Sequence, residues 1–396
     1  MILVFYLASL FFIGISLYLV VLTIAAFRFR KRADANARPL RMAVVIPAHN
    51  EEMQIGNTIK AVHRSIYPED CCRVMVIADN CEDETAAAAK SAGAKVVERS
   101  DLSLRGKGQA LDWFFREQHQ VLASFDAIAI IDADTEMDEN FLKEISATLS
   151  IPQVSVAQGY YGVSNSAESW RTALMTAALA VFHHVRPAGR NRLGGSAGLK
   201  GNGMAFRAEI LKRYGWPAYS VVEDLEFGAI MLLDRIRVQY NPDAIVRAEM
   251  AATGKQAESQ RRRWEGGRLK VFRKLAPKLF RKWVKERQFC YFDGVMDLLI
   301  PPLSAIVLAL GILLAASLWI SQFIALLLSF AFLGIAFYVA SGLVLKRAPF
   351  AVWLYLMAAP FFVLWKVPLY IGMLKGKGGS EWVRTQRKSE VGKSTE

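Results

Sequence analysis

Cysteine and histidine are scarce in this chain, with four and five copies among 396 residues. Cys71 and Cys72 are adjacent, Cys81 is isolated and Cys290 stands beside an apolar segment. Four cysteines so placed do not make a disulfide framework, and no Cys-x-x-Cys pair or His/Cys spacing suggests a zinc site. His183 and His184 are neighbours, and i,i+1 side chains on a helix diverge, so the pair reads as structural. Charge is also thin, at 21% Asp, Glu, Lys and Arg, and the mean hydropathy of +0.23 is high for a soluble enzyme. No basic residue precedes the first apolar run, Met1–Phe27, whereas Arg28, Arg30, Lys31 and Arg32 follow it. A cleavable leader has the reverse order. The run therefore reads as a retained transmembrane anchor, long enough for about 30 Å of hydrocarbon.

What is present is a second hydrophobic region. Val295–Ile320, Phe323–Leu345 and Phe350–Leu374 are further apolar segments, giving a C-terminal membrane region over residues 293–374. Pro360, Lys366 and Pro368 interrupt the last one, which reads as kinked, re-entrant or interfacial. The basic linker, residues 28–41, places the following domain in the cytoplasm of a multi-pass protein of the cell inner membrane. Four spans would put the C-terminus outside, yet the basic tail, residues 375–396, argues for inside, and the sequence leaves that conflict open. The net charge of +13 is concentrated in residues 255–292, where basic residues alternate with Trp264, Leu269, Val271, Phe272, Leu275, Leu279, Phe280, Trp283 and Val284. Such a composition beside a membrane segment suits anionic lipid headgroups better than nucleic acid.

Between these regions lie three apolar runs that end in polar residues. Met42–Ala48 closes on Pro47 and is followed by Asn50, Glu51 and Glu52; Arg73–Ala78 closes on Asp79 and Asn80; Ile128–Ile131 closes on Asp132 and Asp134. Helical spacing over Glu51–Ser65 and an alanine-rich stretch over Asp83–Ala92 separate the first two and follow the second. Strand, helix, strand, helix, strand predicts a doubly wound α/β sheet over residues 42–254. Its rim beyond the strand ends is where ligands bind. Asp132 and Asp134 there suit a hard divalent cation held together with phosphate; alone, they fit a solvated loop equally well.

With these residues in place, the chain resembles the membrane-bound family 2 glycosyltransferases of GT-A fold, the set that includes cellulose, chitin, hyaluronan and poly-N-acetylglucosamine synthases and ceramide glucosyltransferase. The resemblance rests on IPAHNEE at Ile46–Glu52, ADNCEDET around Asp79, RGKGQAL at Arg105–Leu111, the DxD of Asp132 and Asp134, KGNGMAFR at Lys200–Arg207, VVEDLEFG around Glu223 and Asp224, and Q-x-x-R-W at Gln260, Arg263 and Trp264. It implies a Rossmann-like mixed sheet with transmembrane helices on both sides. Pro47, Ala48, Glu51, Asp79, Lys107 and Asp132 would then meet a nucleotide-sugar donor, and Asp132 and Asp134 would hold Mg²⁺ or Mn²⁺. Asp224 would be the base, with Glu223 beside it, while Gly201, Asn202, Gly203, Gln260, Arg263 and Trp264 would face the acceptor.

The chemistry is consistent with those roles. A cation neutralises a departing diphosphate, Gly106 and Gly108 let backbone approach phosphate beside Lys107, and a base opposite the leaving group gives inversion. Trp264 suits a sugar face or a headgroup-level anchor. Glu223 and Asp224 equally suit the positive end of a helix. The implied activity is inverting transfer from a nucleotide-diphosphate sugar, a UDP-sugar foremost, to a lipid or glycan acceptor at the membrane. Alternatives are a processive synthase that extrudes its own polymer, and an inactive partner subunit of a synthase complex. The sequence leaves the oligomeric state open, whether homo-oligomer or subunit of a larger complex.

Overall fold

The structure, a computed structural model, describes residues 2–34, 36–250 and 254–374, and excludes the side chains of residues 254–263, 369, 371, 373 and 374. In chain order its elements are α1 (Ile2–Phe27), β1 (Met42–Ala48), α2 (Ile55–His63), β2 (Cys72–Asp79), α3 (Thr85–Ser91), β3 (Lys95–Arg99), α4 (Lys107–Glu117), α5 (His119–Ser124), β4 (Ala127–Ile130), β5 (Glu136–Met137), α6 (Phe141–Leu149) and β6 (Val156–Val163). There follow α7 (Trp170–Ala180), α8 (Arg186–Arg192), β7 (Met204–Arg207), α9 (Ala208–Tyr214), α10 (Glu223–Leu233), β8 (Gln239–Ala248), α11 (Gly254–Glu286), α12 (Phe289–Leu299), α13 (Leu303–Ile320), α14 (Gln322–Leu345), α15 (Phe350–Tyr355), α16 (Ala359–Trp365) and α17 (Val367–Leu374).

The sheet runs β3-β2-β1-β4-β7-β6-β8-β5. β1 pairs in parallel with both β2 and β4, while β4 pairs antiparallel with β7. The doubly wound half and the mixed half therefore meet at β4, the strand that leads to Asp132. A crevice opens where strand order switches in this way. β1 and β4 are covered on both faces, which is why they read as unbroken apolar runs. Asn50 (φ 55) and Asn80 (φ 52) turn the chain away from the ends of β1 and β2 in the left-handed region, which asparagine tolerates. Asn50 Oδ1 accepts from Glu82 N at 2.8 Å and Asn80 Oδ1 from Asp101 N at 2.7 Å, so the two turns are pinned.

Three helices, α1, α13 and α14, are long and apolar enough to cross a membrane, and a shorter apolar stretch spans Phe350–Trp365. They are fastened to the α/β domain. A Cβ at Gly189 of α8 would collide with the Leu22 carbonyl of α1, Ser16 Oγ donates to the Ala331 carbonyl of α14 at 2.6 Å, and Tyr18 OH donates to Asp293 at 2.7 Å. Close approach of small residues is how such helices pack when both sides are apolar.

The apolar run from Val295 is not one helix: Pro301 and Pro302 separate α12 from α13, as expected where Pro removes a donor and restricts its neighbour. The last segment, expected to be kinked, re-entrant or interfacial, is interrupted at Leu356–Ala358 and again before α17. The basic amphipathic helix α11 is also less available to lipid than its composition suggests. Val271, Leu275 and Leu279 are buried against α10 and α12, and Leu269, Phe280 and Val284 remain exposed. The basic tail lies outside the described residues.

Candidate active site

Two helix starts face each other at the switch point. Lys107 opens α4 after Gly106 (φ 114), and Glu223 and Asp224 open α10. Gly108 makes this approach possible, because a Cβ there would run into the Ala218 carbonyl and lie 3.4 Å from Glu223 Cβ. A lysine at a helix N-terminus opposes the helix dipole, and such a local conflict marks a functional position. Its partners explain it. Lys107 Nζ sits 2.6 Å from Asp132 Oδ1, donates to the Gly201 carbonyl, and is 4.0 Å from Glu223 Oε1. Burial works against the ammonium, but Asp132 and Glu223 outweigh it and the Lys107 pKa is raised.

The two acids respond differently from ordinary carboxylates at a helix start. Burial pushes Glu223 up to about 7, with Asp224 adding to the rise and Lys107 opposing it. Burial raises Asp224 as well, against its backbone hydrogen bond at Leu225 and the charges of Lys107 and Lys200. An imagined Cβ on Gly201 (φ 79) would lie 3.4 Å from Asp224 Oδ2, so that glycine borders the carboxylate directly.

The turn bearing Asp132 and Asp134 is held from behind. Thr58 Oγ1 of α2 donates to the Ala133 carbonyl at 2.8 Å. Asn202 Oδ1 accepts from Asp132 N at 3.2 Å, and Asn202 Nδ2 donates to Thr135 Oγ1 at 3.0 Å. Gln158 Nε2 donates to the Asn202 carbonyl at 2.8 Å. Asn202 is fully buried, so its amide fastens the Asp132–Asp134 turn and does not face the cleft as expected. Gly203 (φ 66) likewise lies under the sheet, with Val246 and Phe141 against it. Of that glycine-rich element, Gly201 and Lys200 reach the cleft.

A cavity of about 600 Å³ brings together Lys107, Asp132, Gly201, Glu223, Asp224 and Trp264. It continues between the apolar helices, past Leu19 of α1, Ile306 and Val307 of α13, Tyr338 of α14, and Phe362 and Val363 of α16. Trp264 is 36% exposed at its side. The side chains of Gln260 and Arg263 lie outside the described residues. Pro47, Ala48, Glu51 and Asp79 belong to the same sheet rim but lie at the ends of β1 and β2 or, for Glu51, just beyond β1. There Asp79 Oδ1 accepts from Arg99 Nη1 at 2.6 Å, and Glu51 N donates to Thr85 Oγ1 at 2.7 Å. His183 and His184 are buried and pushed down to about 3, so they are neutral; each bonds a tyrosine oxygen, the Tyr161 carbonyl and the Tyr240 hydroxyl.

Sequence reasoning passed over a buried charge cluster. Arg190 bonds Asp293 at 2.9 Å and Asp297 at 2.8 Å, and Arg186 bonds Asp297 at 2.6 Å. Lys200 and Arg268 stand beside it. A usable signal was present: Arg186 and Arg190 are four apart, as are Asp293 and Asp297, which puts each pair on one helix face. Lys366, the interruption of the last apolar segment, is explained too. Its ammonium pairs with Glu265 at 2.5 Å and bonds Ser304 at 3.0 Å, joining the end of α16 to α11 along the cavity wall.

A mixed sheet with a DxD turn at its switch point, a lysine and an acid pair across it, defines a nucleotide-sugar transferase of the GT-A kind. The chain belongs to the family described as glycosyltransferase like family 2, which matches residues 39–267. It is 26% identical over 295 residues to the probable glycosyltransferase YdaM of Bacillus subtilis, covering 69% of each chain. It is 28% identical over 236 residues to the beta-monoglucosyldiacylglycerol synthase of Nostoc sp., covering 57% of this chain and 48% of that one. The chain thus spans about half the length of that synthase. Among solved structures it is similar to the mannosyltransferase PcManGT of Pyrobaculum calidifontis, determined in complex with GDP-Man and Mn²⁺, at TM-score 0.52 and 19% identity over 90% of this chain and 99% of that one.

Proposed function

We propose that this glycosyltransferase moves a sugar, with inversion, from a nucleotide-diphosphate donor to the headgroup of a membrane amphiphile. The observation that carries this reading is the shared cavity: the Lys107, Asp132 and Asp224 side chains and a chamber walled by Leu19, Val307, Tyr338 and Phe362 are parts of one space. An acceptor that enters from the bilayer can keep its chains in the apolar part while its hydroxyl reaches Asp224. UDP-sugars are the first donors to test. A diacylglycerol, the lipid part of the product that the name of the Nostoc relative describes, is one candidate acceptor.

The donor set fits a divalent cation. Asp132 and Asp134 supply two carboxylates at the rim, and among the described residues no group of three or more His, Cys, Asp or Glu side chains gathers as an all-protein metal cage. That suits Mg²⁺ or Mn²⁺, which complete their shell with phosphate and water. Bound there, the cation supplies Lewis-acid neutralisation of the diphosphate. Lys107 orients Asp132 and adds positive charge where α4 begins, a position where helix N–H groups favour phosphate. Asp224 takes the acceptor proton, and its raised pKa strengthens it as a base near neutrality. Pro47, Ala48, Glu51 and Asp79 are assigned to the nucleoside side of the donor, and Gly201 and Trp264, with Gln260 and Arg263, to the acceptor side.

Orientation follows from charge. Arg28, Arg30, Lys31 and Arg32 succeed α1 on the side of the α/β domain, which supports a cytoplasmic catalytic domain on the inner membrane. Lys31 is further committed there by ion pairs to Glu144 at 2.7 Å and Asp243 at 2.6 Å.

The test is product analysis by mass spectrometry. Purified full-length protein is incubated with Mn²⁺, a panel of nucleotide sugars, and membrane lipids alongside soluble oligosaccharides. The expected result is one hexose added per lipid. A ladder of polymer in lipid-free detergent would instead support the processive reading.

A further inference from the structure

Where the cavity leaves the catalytic rim and enters the apolar helices, a cluster of cations outnumbers the carboxylates paired with it. Four cations, Arg186, Arg190, Lys200 and Arg268, surround two acids, Asp293 and Asp297. Arg190 uses both acids and Arg186 uses Asp297. Among the described residues, Arg268 donates to the Asp297 carbonyl and the Lys200 ammonium makes no hydrogen bond or ion pair. Lys200 is 5% exposed and lies 4.0 Å over the Phe182 ring. The Nε of Arg186, a residue also 5% exposed, is a buried donor with no acceptor. Arg186, Lys200 and Arg268 all line the cavity.

Buried cations that face open space require compensation. Burial pushes Lys200 down to about 7 and Arg268 down to about 10, with Arg186 and Arg190 adding to both shifts. Asp224 of the catalytic rim borders the neighbouring Gly201 but forms no ion pair with Lys200 among the described residues. A bound anion would satisfy the Lys200 ammonium and meet the Arg268 guanidinium on the same cavity wall, and arginine forks match phosphate oxygens. The apolar walls beyond Phe182, formed by Ile306, Tyr338 and Phe362, have no such use for charge.

We propose that the acceptor is a phosphate-bearing amphiphile, its phosphate seated among Lys200, Arg268 and Arg186 and its hydrocarbon between α1, α13, α14 and α16. This rests on the transferase reading above and narrows its acceptor class from membrane amphiphiles at large to those that bear a phosphate. The phosphate is held one residue from Gly201, so the group to be glycosylated is presented to Asp224.

Binding of dioleoyl phosphatidic acid and of dioleoylglycerol, which shares its chains but lacks the phosphate, is compared by native mass spectrometry of the full chain in neutral detergent. The phosphate lipid should bind about 10- to 100-fold more tightly, the factor expected of one or two charge-assisted hydrogen bonds. Lys200→Gln and Arg268→Gln should each remove most of that preference, Arg268→Lys should retain part of it, and Lys278→Gln on the exposed face of α11 should leave it intact. Melting without lipid identifies variants that do not fold, and the Arg268→Lys arm then decides. Equal binding of the two lipids, or a preference that survives in Lys200→Gln/Arg268→Gln, overturns the proposal. Inorganic phosphate that abolishes the preference at submillimolar concentration would show a site for soluble phosphate and overturn the lipid assignment. No donor is used: lost selectivity with an intact glycosylated product strikes this inference alone, and intact selectivity without any product strikes the transferase reading alone.

Discussion

Replacing Asn202 by alanine separates a fastening role from contact with the acceptor. The asparagine amide links Asp132 N and Thr135 Oγ1 at 3.2 and 3.0 Å, inside a fully buried pocket. Each lost hydrogen bond costs about 1 kcal/mol net, and a buried N–H left without an acceptor costs about 1–3 kcal/mol. The Asp132 N–H is such a donor, so Asn202→Ala should destabilise the α/β domain by about 2–4 kcal/mol. The chain beyond the lost contact carries Asp132 and Asp134, so the kinetic defect should fall on the donor side. The expected pattern is a raised donor KM and a kcat reduced by about tenfold or more, with acceptor KM little changed. Thermal or denaturant unfolding in detergent, followed by separate titration of donor and acceptor, reads both quantities. A change in stability below about 0.5 kcal/mol, together with a raised acceptor KM, would refute the fastening role and restore Asn202 to the acceptor surface.

Asp134→Ala and chelation by EDTA should each abolish transfer, and full activity in EDTA would remove the metal from the account. Asp224→Asn should lower transfer by about 10²–10⁴-fold with donor affinity kept; near-normal turnover would place the base elsewhere. Because burial raises both acids, and Glu223 to about 7, the folded state holds more protons than the unfolded one between the ordinary carboxylate range and neutrality. Stability should therefore decline as pH rises from about 5 to 8, and Glu223→Gln should flatten that slope in a melting series; an unchanged slope would mean that the carboxyl is not buried in its charged form. Trp264→Ala should raise acceptor KM while Trp264→Phe is mild if the indole packs on acceptor; equal loss of donor binding in a folded Trp264→Ala protein would assign the residue to the nucleotide side.

The parts of the fold that the sequence made legible are those whose signal is local. β1, β2 and β4 are buried on both faces and stand out as apolar runs, and the acids that follow them mark the rim. The edges were blurred: the helix expected over Glu51–Ser65 is formed over Ile55–His63, since Asn50 first turns the chain at positive φ. Long-range pairings were out of reach. Arg190 and Asp293 are 103 residues apart and Arg186 and Asp297 are 111 apart, so neither salt bridge could be read from composition. The same holds for Lys366 and Glu265, where an apparent flaw in an apolar segment is half of a buried pair. The glycine-rich element misled for a different reason. Gly201 and Asn202 are adjacent, but the left-handed turn points one toward Asp224 and the other beneath the Asp132–Asp134 turn. Helix α11 shows the limit of amphipathicity, which reports an apolar face without telling whether protein or lipid covers it.

If catalytic rim and apolar chamber form one acceptor path, filling the chamber blocks it. Val307 of α13 lines the apolar part, on a different element from every proposed catalytic residue. With Val307→Trp, transfer to the lipid acceptor should fall by about tenfold or more, while Mn²⁺-dependent binding of the nucleotide donor and its slow hydrolysis by water persist. Undiminished lipid glycosylation by a folded Val307→Trp protein would contradict the account.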